Sequence, residues 1–518
     1  MKTRMMARKF LTTFAVVVFA VSLISVGSVS AEQKKYAYPP IPSWWTGHNS
    51  MLDQYYVAPG YPSYDPHPRY LGELSGSWHQ IGKQYGEKAG DLIRMVFEGW
   101  YRQHRPKYAD LETMLDYIHK TEAYLGTLAP EAIELMKGIA VGAKKELDKS
   151  VYADLMTHYE KILLINSYFQ VSVPLPGGGA GDEPEGCSGA VILRKGTKDG
   201  KIIHVSSEDQ SFFPQEYLVT YFVNPSDRKA HRYTVTDSAG EIGSQTAIND
   251  KGVVVSGYAG GGRDVVVKPG LDWQVGVWFA TAFSNTAEEA VDLLTVGTPE
   301  YRKKTGNKIV IGRCGRGVNW VVSDLKEAYV VESIPGDLNG VARYAVRVPG
   351  DLGEIGDYVV STNTVEADYS CNEDNVCDKT HPMRQHGNAT QGATYFGLSG
   401  SGMRHWTLMC LIKNNYGSIN REMVQEWRKT HYIYDTTCTM HDFISVPNYG
   451  DVSPHLTPGV GTMCRHTTSG PPNFLDTLTG INIYVSIGVP DDLAVYRTKG
   501  RPCEWVGDWD VLSLHNIP

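Results

Sequence analysis

The sequence lacks a basic excess: 49 Lys and Arg stand against 57 Asp and Glu in 518 residues, a formal net charge of −8. That removes the electrostatic footprint of a nucleic-acid binder, and no long run of like charge restores it. Long apolar runs are also missing after the first residues, so no later segment is expected to span a bilayer. Histidine and cysteine come near each other in three places: Cys377 with His381 and His386, Cys438 with His441, and Cys464 with His466. None of these has the paired spacing of a structural zinc site, and no metal is expected. A phosphate loop is absent too, because Gly260-Gly261-Gly262 runs into Arg263-Asp264 where a lysine and a Ser/Thr would be needed. No cofactor is expected, and no internal repeat is present.

What the chain does carry begins with Lys2, Arg4, Arg8 and Lys9, then the apolar stretch Phe14 to Val21, then Val29-Ser30-Ala31 before Glu32. A charged region, a short apolar region and a small-residue cleavage pattern predict a signal peptide over residues 1–31, and hence a secreted or periplasmic protein. An exported chain can keep disulfides, and there are eight cysteines. Cys371 and Cys377, flanking the polar loop Asn-Glu-Asp-Asn-Val, form the favoured pair; the remaining connectivity is open.

Residues 32–70 are rich in Pro, Tyr and Trp without a sustained period and read as an irregular arm. From Ile81 the apolar positions Ile81, Tyr85, Ala89, Ile93 and Val96-Phe97 predict a helix, with Gly82, Gly86 and Gly90 on one side for close helix packing. Pro130 opens a second helix, and Tyr152 to Phe169 reads as a third. Residues 174–186 contain almost no apolar side chain and form an exposed linker. Residues 71–186 are thus a mainly helical segment.

Beyond the linker the texture changes at Cys187. Ala190 to Leu193 and Ile202 to Val205 form a hairpin, as do Gln245 to Ile248 with Val253 to Ser256, and Trp320 to Val322 with Ala328 to Val331. A helical stretch, Trp278 to Leu294, lies between them, with Thr286 and Glu289 spaced as a capping box. Tyr358 to Ser361 is a further strand. Helices follow at Met403 to Ile412 and Ile419 to Tyr432, and strands at Ile481 to Val489 and Leu493 to Tyr496. Hairpins interrupted by helices predict an α+β fold of sheets covered by helices, with residues 187–518 as one unit.

Five short stretches, in this order, resemble one family: Glu73-Leu74-Ser75-Gly76-Ser77; Ile81-Gly82-Lys83-Gln84-Tyr85-Gly86; Leu135 with Gly138-Ile139-Ala140 and Gly142-Ala143; Ile162 to Asn166; and Gly186-Cys187-Ser188. The chain is similar over most of residues 70–500 to the isopenicillin N acyltransferase (acyl-coenzyme A:6-aminopenicillanate acyltransferase) family of N-terminal nucleophile hydrolases. The resemblance implies a four-layer αββα sandwich that cuts itself between Gly186 and Cys187. The two resulting chains would stay associated, and Cys187 would become the catalytic nucleophile with its own α-amine as base.

Three more positions are carried over from the resemblance. Asp209 matches the aspartate that holds the new amino terminus. Asn363, in Ser361-Thr362-Asn363-Thr364, matches an asparagine suited to donate to an oxyanion, and Arg404, in Ser401-Gly402-Met403-Arg404, matches an arginine behind the nucleophile. The chain departs from relatives that cleave bile-salt amides or penicillin V, which have arginine near Ser206 and asparagine near Ala259.

The expected activity is hydrolysis of linear amide C–N bonds in a small-molecule amide or peptide through a thioester. An acyltransferase, a dipeptidase of the same superfamily and an inactive binding protein are the alternatives. Coenzyme A is scarce outside the cytosol, which favours water as the acceptor.

Overall fold

The computed structural model describes residues 67–105, 108, 110–167, 187–210, 217–259, 270–305, 318–334, 343–351, 356–363, 400–430, 432–434, 437–442, 463–464, 481–499, 502 and 509–515. The signal peptide, nearly all of the arm, the linker, Gly186 and the Cys371/Cys377 pair lie outside these residues.

The first segment starts with strand β1 (Arg69–Gly76), at the edge of the arm expected from the sequence. Helix α1 (Trp78–His104) follows directly because Ser77 caps it: its hydroxyl accepts from the Gln80 N–H while the Gln80 side chain accepts from Ser77 N–H. Helix α2 (Leu111–Leu128), capped by Asp110, was not anticipated. Helix α3 (Pro130–Leu147) begins at the predicted proline. The predicted third helix is shorter than expected. Thr157 forms a capping box with Glu160 and starts α4 (His158–Ile165) there, leaving Ala153–Leu155 as a separate 3-10 turn.

The glycines explain how α1 and α3 approach each other. A β-carbon on Gly82 would lie 2.1 Å from the Leu135 carbonyl oxygen, and one on Gly142 would lie 2.1 Å from that of Lys83. Backbone therefore meets backbone at this crossing.

The rest of the described chain builds three sheets. Strands β4 (Leu218–Pro225) and β5 (Tyr233–Ser238) extend β1 into the order β1-β4-β5, with β1 parallel to β4. Strands β6 (Thr246–Ile248), β7 (Val254–Ala259), β8 (Val318–Ser323), β9 (Ala328–Ile334) and β10 (Arg343–Arg347) form a five-stranded sheet in the order β10-β9-β8-β7-β6. Strands β2 (Ser188–Ile192), β3 (Ile203–Gln210), β11 (Tyr358–Thr362), β14 (Ile481–Val489), β15 (Ala494–Lys499) and β16 (Asp510–Ser513) form a six-stranded one in the order β11-β2-β3-β14-β15-β16. The predicted hairpins are all present as antiparallel pairs. A small ribbon pairs β12 (Tyr432–Tyr434) with β13 (Met440–Asp442).

The helical stretch predicted from Trp278 is two helices, α5 (Trp273–Phe283) and α6 (Ala287–Val296). Thr286 caps the second through the Glu289 N–H, and the Glu289 carboxylate reaches back one residue further, to Asn285 N–H. Helix α7 (Pro299–Thr305) is short; α8 (Gly400–Asn414) matches the first predicted C-terminal helix, while α9 (Arg421–Arg428) is shorter than the predicted Ile419 to Tyr432, because the chain turns after Lys429 and Tyr432 opens a strand. A disulfide joins Cys410 in α8 to Cys438, 28 residues away. No helix among the described residues is long and apolar enough to cross a membrane.

Strand alternation sorts the six-stranded sheet into two faces. Ala190, Ile192, Ile203, Val205, Tyr358 and Val360 pack with Leu408, Ile412 and Trp427 of α8 and α9. Cys187, Val191, Ile202 and Val359 pack instead with Tyr258, Val321 and Val330 of the five-stranded sheet. The largest apolar cluster includes Leu71 to Ile165 of the first segment together with Val219 to Val331.

Candidate active site

Cys187 is buried, 3% exposed, at the mouth of β2 and on the face turned to the five-stranded sheet. Its surroundings follow from register. β11 pairs with β2 down to Thr362 opposite Ser188, so the next residue, Asn363, arrives beside Cys187. The Cys187 backbone N–H donates to Asn363 Oδ1 at 2.6 Å. Arg404 Nη2 donates to the same oxygen at 2.8 Å. Two donors on one atom fix the carboxamide's orientation, because the flipped amide would set NH₂ against both. Asn319 Nδ2 donates to the Thr362 carbonyl at 2.8 Å and so pins the end of β11 from the neighbouring sheet.

Arg404 is thus a buried residue of α8, 1% exposed, and its described contact is Asn363. A second guanidinium, missed in the sequence, lies behind the nucleophile strand. Arg428 of α9 donates to the Ser188 carbonyl at 2.8 Å and to Ser188 Oγ at 2.9 Å. Burial pulls its pKa down to about 10, leaving it charged at neutral pH, and Tyr258 and Asp209 act on it electrostatically. Asp209 is fully buried on the face it shares with Ser207 and Ser188, next to this charge.

On the other face, Tyr258 covers the strand just past the thiol. A β-carbon on Gly189 would lie 2.0 Å from the Tyr258 hydroxyl, so only glycine admits the phenol here. The hydroxyl bonds Ser256 Oγ at 3.0 Å, Ser256 bonds His204 Nε2 at 2.7 Å, and His204 Nδ1 bonds Ser323 Oγ at 2.9 Å. Burial pushes Tyr258 up to about 12 and pulls His204 down to about 3, so this chain of groups is neutral at physiological pH.

Ser206, where relatives were expected to have arginine, accepts from Gln245 Nε2 at 3.3 Å. Ala259 closes β7, and residues 260–262 lie outside the described residues.

A search of protein-family models finds no match, and a search of curated proteins finds none. Among solved structures, the chain is similar to a mutant of conjugated bile acid hydrolase from Clostridium perfringens, with 12% identity, a TM-score of 0.31 and coverage of 64% of this chain and 92% of that one. It is similar to the Caenorhabditis elegans ortholog of N-acylethanolamine-hydrolyzing acid amidase at 12% identity and a TM-score of 0.31, covering 59% and 93%. It is also similar to penicillin V acylase from Agrobacterium tumefaciens at 12% identity and a TM-score of 0.32, covering 64% and 86%.

Proposed function

We propose that this chain is a secreted, self-processing cysteine amidohydrolase with the four-layer αββα architecture, acting on linear amides. The observation that carries the proposal is the hydrogen bond from the Cys187 N–H to Asn363 Oδ1 at 2.6 Å. In the uncleaved chain this bond holds the Cys187 amide; after cleavage the same oxygen holds the new α-amine beside its own thiol.

Self-processing begins when the Cys187 thiol attacks the Gly186 carbonyl. The thiol proton passes to the departing nitrogen, the C–N bond breaks and a thioester forms. Water then releases the Gly186 carboxylate and restores the thiol. In catalysis the α-amine, with a reference pKa of roughly 7.7–8.0, takes the thiol proton as sulfur attacks a substrate amide. That proton goes to the leaving amine. Water, deprotonated by the same α-amine, opens the thioester and frees the acid.

Asn363 Nδ2 is the carboxamide's one donor group and is assigned to the oxyanion, while Arg404 keeps Oδ1 in place. Asp209, backed by Arg428, is assigned the tuning of the α-amine's proton.

The test is iodoacetamide labelling of purified protein, with turnover of a panel of N-acyl amino acids, peptides and β-lactams. Labelling at Cys187 together with hydrolysis of at least one amide is the expected result. Absence of both would leave a binding protein on this fold.

A further inference from the structure

Cys187 has a second flank. The β2–β3 register pairs Ser188 with Ser207 and Gly189 with Ser206, and one step further it brings Glu208 opposite Cys187. Residues directly opposite on one face have β-carbons about 4.5–5.5 Å apart, which places the Glu208 carboxyl beside the thiol. Glu208 is fully buried, and alternation turns it to the side on which Ser206 meets Gln245.

The groups around it are rich in acceptors. The charges acting most on Glu241 are those of Asp237, Glu208 and Asp272, all carboxyls, and burial together with Asp237 holds Glu241 well above the usual carboxylate range. The described donors here are few: Gln274 Nε2, which bonds Glu241 Oε2 and lies 3.3 Å from Asp237 Oδ2, the Ser238 N–H on Asp237 Oδ1 at 2.8 Å, and the Gln274 N–H on Asp272 Oδ1 at 3.3 Å. Two buried acceptors remain without a hydrogen-bond partner among the described residues, Glu241 Oε1 and Gln245 Oε1. Gln245 is fully buried, and its other end is fixed by a 3.1 Å bond to the Ser207 carbonyl, one residue before Glu208. Buried acceptors without donors cost free energy, and a group bringing several N–H donors relieves that cost. An ammonium has three such donors. Among the described residues no three His, Cys, Asp or Glu side chains are placed to hold a metal ion, so an organic cation fits better.

We propose that Glu208, with Gln245 and Glu241, forms a cation subsite beside Cys187, and that the substrates carry a primary ammonium next to the scissile amide: aminoacyl amides and short peptides with a free amino terminus. The assignment rests on the amidohydrolase reading and narrows it. A neutral N-acyl substrate brings no charge to this carboxyl-rich flank, whereas a free amino terminus brings both a positive charge and N–H donors for Glu241 Oε1 and Gln245 Oε1.

The test compares kcat/KM of the full processed protein for alanine p-nitroanilide and N-acetylalanine p-nitroanilide. Wild type should prefer the free amine by about 10- to 100-fold, the range of a charge-assisted hydrogen bond. Glu208→Gln should remove most of that preference while changing the acetylated substrate by less than about threefold. Equal or better hydrolysis of the acetylated substrate by wild type overturns the subsite, as does an equal loss on both substrates in the variant. Should the variant not fold, protection of Cys187 from iodoacetamide in wild type decides instead. L-alaninamide should protect and N-acetyl-L-alaninamide should not; equal protection by the two overturns the subsite. If neither anilide is hydrolysed and Cys187 is not labelled, the amidohydrolase reading itself falls, and the subsite with it.

Discussion

Asn363 stands one residue past the end of β11, and that step decides its chemistry. Its oxygen is occupied by Cys187 N–H and Arg404, so its nitrogen is the donor assigned to a tetrahedral oxyanion. Asn363→Ala should lower kcat by about 100- to 1000-fold with a much smaller change in KM, the pattern for a group that acts in the transition state. Steady-state kinetics on the best amide of the panel measures it; a rise in KM with kcat unchanged would make Asn363 a binding residue instead. Cys187 and Asn363 were singled out in the sequence through the family resemblance, and the fold sets them side by side at the ends of β2 and β11. Arg428 was not singled out. It lies in Arg421 to Arg428, a short helix with four charged residues that reads as solvated, and only the fold shows it buried against Ser188. Glu208 was hidden by its neighbour, since Asp209 fitted a family position while Glu208 shares the face of Cys187.

At the scale of elements, close packing of α1 on another helix was readable from glycine spacing, because four-residue intervals leave one side of a helix without β-carbons, while the partner, α3, is known only from the fold. Gly82→Ala would press a methyl to 2.1 Å from the Leu135 carbonyl oxygen. The helices must separate, and the expected loss is about 1–3 kcal/mol or more, seen as a lower denaturation midpoint. Gly126 in α2 is the control. A β-carbon there meets nothing within 4 Å, so Gly126→Ala should raise stability by roughly 0.5–1 kcal/mol. Equal effects of the two substitutions would contradict the packing assigned to this crossing. Strands β4 and β5 and helix α2 were not foreseen, although β4 pairs directly with β5 and Asp110 caps α2. The start of α6 at the Thr286 cap was readable from the Thr286/Glu289 spacing, while the reciprocal bond goes to the Asn285 N–H instead of to Thr286.

Across the whole molecule, the segment before the linker is not an appendage. β1 lies in the same sheet as β4, Trp78 packs edge-on against Trp278, and the Tyr85 hydroxyl accepts from the Gly240 N–H at 2.7 Å. One apolar cluster contains residues from both sides of position 187. We therefore propose that a cut before Cys187 would leave the two halves associated, since each would have to expose that shared surface to leave. The most direct measurement is intact mass spectrometry of wild type and Cys187→Ala, under denaturing and native conditions. Two chains meeting between Gly186 and Cys187, associated in the native spectrum, with a single chain in the variant, is the predicted result. A single uncut chain in wild type would contradict self-processing.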